Sequence, residues 1–422
     1  MKEQGLLEEI VTRLGSEVKG LLAQVDGGEV GAGELEPQLQ RLLRECGREL
    51  IGVLLEAADG RLCRGKPLHD RRTRTVVSLF GRVDLTRGRL EGGIYPLDQA
   101  LGLVDNHGWT RAVQEAVSLV CCEKAFEASS DLLKRLLGLS ISAPAAQQVA
   151  ESAGERAGRL SETLLEPPVN AQNKTLVIAI DGCQAPQRDG WHEVKVGDLY
   201  TNEHRGKTAS GRGKLVYKEY LATLEDAAGF GQKLWRAASR WKVDQAKRVV
   251  VMGDGAPWIW NLAALHFPDA LEIVDFYHAA EHLWAVGEAL FGERSRSAAT
   301  VAWVRHYRHQ LRRGKIDAVI AALARARESR QTHLSPEAQI VVRRNQEYFK
   351  TNRDRMHYDR YKRMHLPIGT GAVEGSCKFL VQERFKLPGC RWSHQGLEQM
   401  LALKQLRLNG HWDQLWKLHN AA

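Results

Sequence analysis

LVIAIDG at residues 176–182 and RVVVMGDG at residues 248–255 decide the fold. Each is a near-continuous apolar run ending in an Asp-Gly pair, the pattern of a buried central strand that surfaces at a site. Around them, WHEVKVGDLY (191–200), LVYKEYLATLE (215–225) and LEIVDFYH (271–278) are three more strand candidates. GFGQKLWRAASRWKV, between the third and fourth runs, has helical spacing.

Three strands, a helix, a strand, a helix and a strand is the order of a ribonuclease-H-like mixed five-stranded sheet. Residues 279–360 are almost wholly helical and read as a basic insertion. The expected α/β catalytic core is therefore split into 172–278 and 361–415. Ahead of the linker EPPVNAQNK (166–174), the chain is mostly helical. Residues 1–57 suggest two helices about Gly27-Gly28, suited to dimerisation. Residues 58–97 suggest a small basic β-hairpin turning at Gly81. Residues 98–165 include SSDLLKRLLGLSISAPAAQQVAESAG, the layout of a helix-turn-helix with its turn at Gly138 and Ser142 as cap. Its second helix would offer Gln147 and Gln148 to a DNA groove.

The 422 residues carry a formal charge of +9, with a pI near 9.2, which directs attention to an anionic partner, nucleic acid first. The opening residues are amphipathic and acid-bearing, unlike a signal peptide, so a cytoplasmic location is expected. Seven cysteines without a C-x-x-C pair give neither a disulfide framework nor a zinc knuckle, and no zinc is expected.

Asp181 and Asp254 are expected at the carboxyl ends of neighbouring strands, where two acids can share a metal. An Asp-Gly after a strand is by itself most often a turn, but the repetition after two buried runs favours a site. Glu374, in GTGAVEGSCKFLVQERFK, follows small residues that open a helix. Hard carboxylate oxygens suit Mg²⁺.

The ordered blocks VIAIDGCQAP, VVVMGDGAPWIWNL, LEIVDFYHAAEHLW, IGTGAVEGSCK and GCRWSHQGLEQMLALKQLRLNG resemble bacterial insertion-sequence transposases of the ISKra group, DDE enzymes with a ribonuclease-H-like core. PLDQALGL at 96–103 adds to the resemblance, which covers about residues 60–412. It implies a catalytic and metal-binding triad of Asp181, Asp254 and Glu374. It also implies two Mg²⁺ ions, with Mn²⁺ as a substitute, and strand cleavage followed by strand transfer at the element's terminal inverted repeats. Partners would be those repeats, target DNA, and a second copy in a homodimer or larger assembly. Asp275 and His278 are similar to an auxiliary D-x-x-H motif. Members of the group often carry paired C-x-x-C motifs near the hairpin. Here only Cys63 precedes it, although Arg64, Lys66, Arg71, Arg72 and Arg74 keep the segment basic.

Arg305, Arg308, Arg312 and Arg313 in the insertion and Arg391 near the end are candidates for DNA phosphate contact. The aromatic residues of VRHYRHQLRRGK and RRNQEYFKTNRDRMHYDRYKRMH are candidates for base stacking, whereas Trp258 and Trp260 read as packing. Two alternatives stand beside the transposase. One is a domesticated DNA-binding protein without catalysis. The other is a zinc metallopeptidase using H-x-x-E-H at His278, Glu281 and His282.

Overall fold

The computed structural model describes residues 2–103, 108–163, 166–207, 209, 213–291, 297–330 and 334–417. Two compact units divide the chain: residues up to Ala153 with the stretch from Trp416 onward, and Gly154–Leu415.

In the first unit, α1 (Lys2–Asp26) and α2 (Ala32–Cys63) pack through Leu7, Ile10 and Leu14 against Cys46, Leu50 and Val53. A strip at helical spacing buries one face of each helix. The hairpin of β1 (Leu68–Ser78) and β2 (Gly81–Leu90) turns over Leu79-Phe80, with Ser78 opposite Gly81. Val76, Val83 and Leu85 from its inner face join Leu97 of α3 (Pro96–Leu101) in a core against α2. The turns at Gly28, Gly81 and Gly138 all carry positive φ, at 73°, 114° and 66°.

The hairpin is less free a cation surface than its composition suggests. Arg71 bonds buried Asp59 at 3.3 Å, Arg72 bonds Asp70 at 3.1 Å, and Arg74 and Arg87 converge on Asp98. Then α4 (Arg111–Cys121) and α5 (Phe126–Leu137) lead to α6 (Ala143–Glu162). The end of α5 is closed by Gly138 N–H to Lys134 O and Leu139 N–H to Leu133 O, and Ser142 accepts from Ala145 N–H at 3.4 Å. Gln147 is half-buried and donates to Glu151, while Gln148 is exposed.

The second unit is a mixed α/β structure around a five-stranded sheet. Its elements run β3 (Thr175–Gln187), β4 (Gly190–Thr201), β5 (Arg205–Lys207), β6 (Gly213–Leu215), β7 (Glu219–Thr223), α7 (Ala227–Arg240), β8 (Arg248–Gly253), α8 (Pro257–His266) and β9 (Leu271–Val274). The sheet order is β7-β4-β3-β8-β9, and β5 pairs with β6 apart from it. The β3–β4 and β4–β7 pairs are antiparallel, whereas β3–β8 and β8–β9 are parallel. Leu176 to Ile180 are completely buried, as central strands covered on both faces require.

The expected strand at 215–225 is two, β6 and β7. Between them Val216 N–H turns to His204 O and Lys218 reaches across to Asp198, so the backbone leaves the sheet. The run at 271–278 likewise stops at Val274. Asp275 there caps α9 (Phe276–Phe291) by accepting from Tyr277 N–H and from His278 N–H at 3.0 Å, so His278 is helical.

After α9 come α10 (Ala298–Arg312), α11 (Ile316–Arg330), α12 (Pro336–Thr351) and α13 (Tyr358–Arg363). The chain then enters α14 (Gly371–Ser376), a π-helical stretch (Cys377–Gln382), α15 (Glu383–Phe385), α16 (His394–Leu408) and α17 (Trp412–Trp416). The edge of β7 is sealed by side chains. Asn409 accepts from Tyr220 N–H and donates to Tyr220 O, Gln405 accepts from Ala222 N–H, and Glu398 accepts from Leu224 N–H. Every second residue of an edge strand points its backbone polar groups outward, and here each outward amide has a partner. Among the described residues no helix is long and apolar enough to cross a membrane.

Candidate active site

The parallel pairing of β3 with β8 ends at Ala179 opposite Met252. Asp181 and Asp254 each lie two residues beyond that last pair, so the register brings the two carboxylates to the place where the strands part. Asp181 is not at the end of its strand, as the sequence suggested. The hairpin with β4 carries β3 on to Gln187, and Asp181 stays opposite Val196. Gly182 N–H donates to Asp181 Oδ1 at 2.7 Å, and the Cys377 thiol donates to Oδ2 at 3.5 Å.

Burial pushes the Asp181 carboxyl above the usual carboxylate range. The Gly182 amide works against this, the nearby charge of Asp254 adds to it, and His278 opposes it. A cation held between two such carboxylates would relieve their repulsion.

The Asp254 turn is held from the helical insertion. Asp254 Oδ1 accepts from Ala256 N–H at 2.8 Å, and the Tyr348 hydroxyl of α12 donates to the Asp254 carbonyl at 2.7 Å. Gly255 has φ of +107°, and a Cβ there would stand 2.6 Å from the Tyr348 ring. Only glycine serves both the left-handed backbone and the close approach of α12. Asn352 completes the contact by accepting from Trp260 Nε1 at 3.0 Å, which makes Trp260 a packing residue.

Tyr348 stacks on His282 with ring centroids 3.6 Å apart, and His282 Nδ1 meets Asn345 Oδ1 at 2.6 Å. Burial holds the His282 imidazole below its ordinary pKa, with the Asn345 bond opposing, and burial then Asp254 raise the Tyr348 phenol. His278 lies beside this pair and pairs with Glu281 at 3.3 Å.

Glu374 rides on α14 with its side chain exposed, its Oε1 3.4 Å from the Thr370 hydroxyl oxygen. Thr370 also donates through its amide and hydroxyl to Asp275 Oδ2. Asp275 is completely buried and engaged by four donors from two helices, which makes it an anchor. Among the described residues no three His, Cys, Asp or Glu side chains form a group that could hold a metal ion. Asp181, Asp254 and His278 are brought together, while Glu374 is linked to them through the backbone elements that carry it.

Arg305, Arg308 and Arg312 of α10 and Arg313 just after it are exposed, and Arg308 lies 5.6 Å over the Phe276 ring. Arg391 is exposed ahead of buried Trp392. Of the aromatic residues proposed for base stacking, Phe349, Tyr358 and Tyr361 are completely buried, while Tyr307 and Tyr348 are half-buried. Helical periodicity put Phe349 on the core face of α12 together with Val342.

Sequence reasoning missed Tyr348 and Asn352 as supports of the Asp254 turn, met His282 only in the alternative H-x-x-E-H motif, and missed Asp198 and Lys218 with Ser376 of α14. The one sequence signal among them is Gly255, whose position after Asp254 announces a tight approach.

A mixed α/β protein with one carboxylate on a central strand, a second on the turn after its parallel neighbour, and a helical insertion bonded to that turn is the class so defined. The chain belongs to the Uncharacterised protein family (UPF0236), whose profile matches residues 29–417. It is similar to the UPF0236 protein in vanSb 3'region of Streptococcus gallolyticus, at 28% identity over 215 residues, covering 48% of this chain and 46% of that protein. The alignment spans about half the length of that curated relative.

Proposed function

We propose that this protein is a DDE-type DNA transposase of the ISKra kind, cleaving and rejoining strands at the ends of an insertion sequence. Renumbered within the sheet, the order β7-β4-β3-β8-β9 is 3-2-1-4-5, with the first three strands antiparallel and the last two parallel to the first. That order supports a ribonuclease-H-like core. The observation that carries the proposal is the register in which Asp181 of β3 and Asp254 of the turn after β8 each lie two residues beyond the last β3–β8 pair.

The donor set fits a hard divalent cation: carboxylate oxygens, with Asp181 raised by burial and further by the charge of Asp254. Asp181 and Asp254 would hold Mg²⁺, and Glu374 on α14 would join them when DNA phosphate completes the site. A bound metal supplies charge neutralisation at the phosphate and acidifies an attacking water or 3′-hydroxyl. The protein's own share is to place the carboxylates, to keep the Asp254 turn rigid through Tyr348, and to hold His278 against the acid pair. The exposed arginines of α10 offer charge to a phosphate backbone.

The test is nicking and joining of DNA carrying the sequences that flank this reading frame, with Mg²⁺. Wild type should cut and join, and Asp254→Asn and Glu374→Gln should do neither. Undiminished activity in those variants would sink the proposal.

A further inference from the structure

Asp198 is a fully buried carboxylate in the middle of β4, opposite Ala179 of β3 and Tyr220 of β7. A charge there is costly unless it is paired and hydrogen-bonded. Lys218, from the bend before β7, supplies the pair: its ammonium donates to Asp198 Oδ2 at 2.8 Å, to Ala372 O at 2.7 Å and to Ser376 Oγ at 2.6 Å. An ammonium has three protons, and all three are used. Ser376, also completely buried, returns its own proton to Asp198 at 2.7 Å. The result is a closed ring of two side chains from the sheet region and one from α14.

Two of the groups so bound, Ala372 O and the Ser376 hydroxyl, are on α14 and bracket Glu374 by two residues on each side. The neighbouring Cys377 reaches Asp181 of β3, and at the other end Thr370 is fastened to Asp275 after β9. α14 opens an uninterrupted helical run that continues through the π-helical stretch into α15, and these contacts fasten its first part, around Glu374, to the sheet that carries Asp181.

We infer that Asp198, Lys218 and Ser376 are positioning residues for Glu374, setting the height and rotation of α14 over the Asp181–Asp254 pair. This rests on the assignment of Glu374 as a metal ligand. Removing the Ser376 hydroxyl frees one corner of the ring while leaving the ion pair intact. Replacing Lys218 and Asp198 together removes the ring without stranding a buried charge.

The experiment is calorimetric titration of the full chain with Mn²⁺, comparing wild type, Glu374→Gln, Ser376→Ala, Ser376→Thr and the double variant Asp198→Asn/Lys218→Met. Thermal melts verify that each is folded at the titration temperature. Outer partners of metal ligands commonly change affinity roughly 10–100-fold, so Ser376→Ala and the double variant should weaken Mn²⁺ binding on that scale, with Ser376→Thr recovering it. Glu374→Gln should weaken it as well. If Glu374→Gln loses affinity while the folded ring variants bind like wild type, the ring only stabilises the fold and the inference is overturned, with the function left standing. If Glu374→Gln itself binds Mn²⁺ like wild type, the metal role of Glu374 fails, and the positioning role with it.

Discussion

The Tyr348 hydroxyl donates to the carbonyl oxygen of Asp254 at 2.7 Å, joining the helical insertion to the turn that presents a candidate metal ligand. The insertion is thereby part of the site. Tyr348→Phe should keep the ring on His282 but leave the Asp254 carbonyl without this donor. We expect a loss of about 1–2 kcal/mol in urea denaturation and roughly tenfold in DNA nicking. Gly255→Ala should be worse on both counts, because its Cβ meets the Tyr348 ring at 2.6 Å and its φ is +107°. Normal nicking by Gly255→Ala would detach the insertion from the site.

Asp198 predicts a pH dependence of folding. Burial raises its carboxyl from 3.8 to about 6, with Lys218 and Ser376 opposing. Below the unfolded value both states are protonated, and stability is at its full level as far as this group is concerned. As pH rises through about 6, the folded protein retains a proton that the unfolded chain has already released, so stability falls. The full effect is on the order of 3 kcal/mol above that range. Asp198→Asn/Lys218→Met should abolish it. The variant's stability relative to wild type should therefore improve between about pH 4.5 and about pH 7.5 in chemical denaturation. A constant difference across that interval would contradict the linkage.

Asn409 predicts local behaviour at the sheet edge, since it bonds both polar backbone groups of Tyr220. Asn409→Ala should cost about 1–2 kcal/mol and speed hydrogen exchange at the Tyr220 amide ahead of the β3 amides. Unchanged exchange at Tyr220 would show that Asn409 does not guard this edge.

Four exposed arginines on and just beyond α10 predict salt-sensitive DNA binding. Replacing Arg305, Arg308, Arg312 and Arg313 by Gln should lower affinity. It should also flatten the dependence of log K on log salt by up to about 0.9 for each duplex phosphate that is no longer neutralised. Fluorescence anisotropy across a salt series measures both, and an unaltered slope would place the DNA path elsewhere.

The two apolar runs ending in Asp-Gly made β3, β8 and both aspartates legible, because a strand buried on both faces advertises itself by composition alone. Asp181 was misplaced along its strand because continuation to Gln187 depends on pairing with β4, which no local pattern states. Glu374 stood out only through the ordered blocks around it, and its surroundings were invisible. Lys218 bonds Ala372 across 154 residues, and Ser376 bonds Asp198 across 178. Tyr348 looked like a surface aromatic in a basic helix until the core face of α12 was defined by Val342 and Phe349. Long-range hydrogen bonds of this kind leave no periodicity to read.

A metal-dependent DNA reaction centred on Asp181 and Asp254 is the central claim. Its most direct test is the single-turnover rate of strand cleavage on labelled duplex bearing the element ends, measured against Mg²⁺ concentration for wild type and Asp181→Asn. Wild type should show no cleavage without the metal and a saturable rise with it, while Asp181→Asn should fall by at least about a thousandfold at every concentration. Cleavage by wild type in excess chelator, or an Asp181→Asn curve overlying that of wild type, would contradict it.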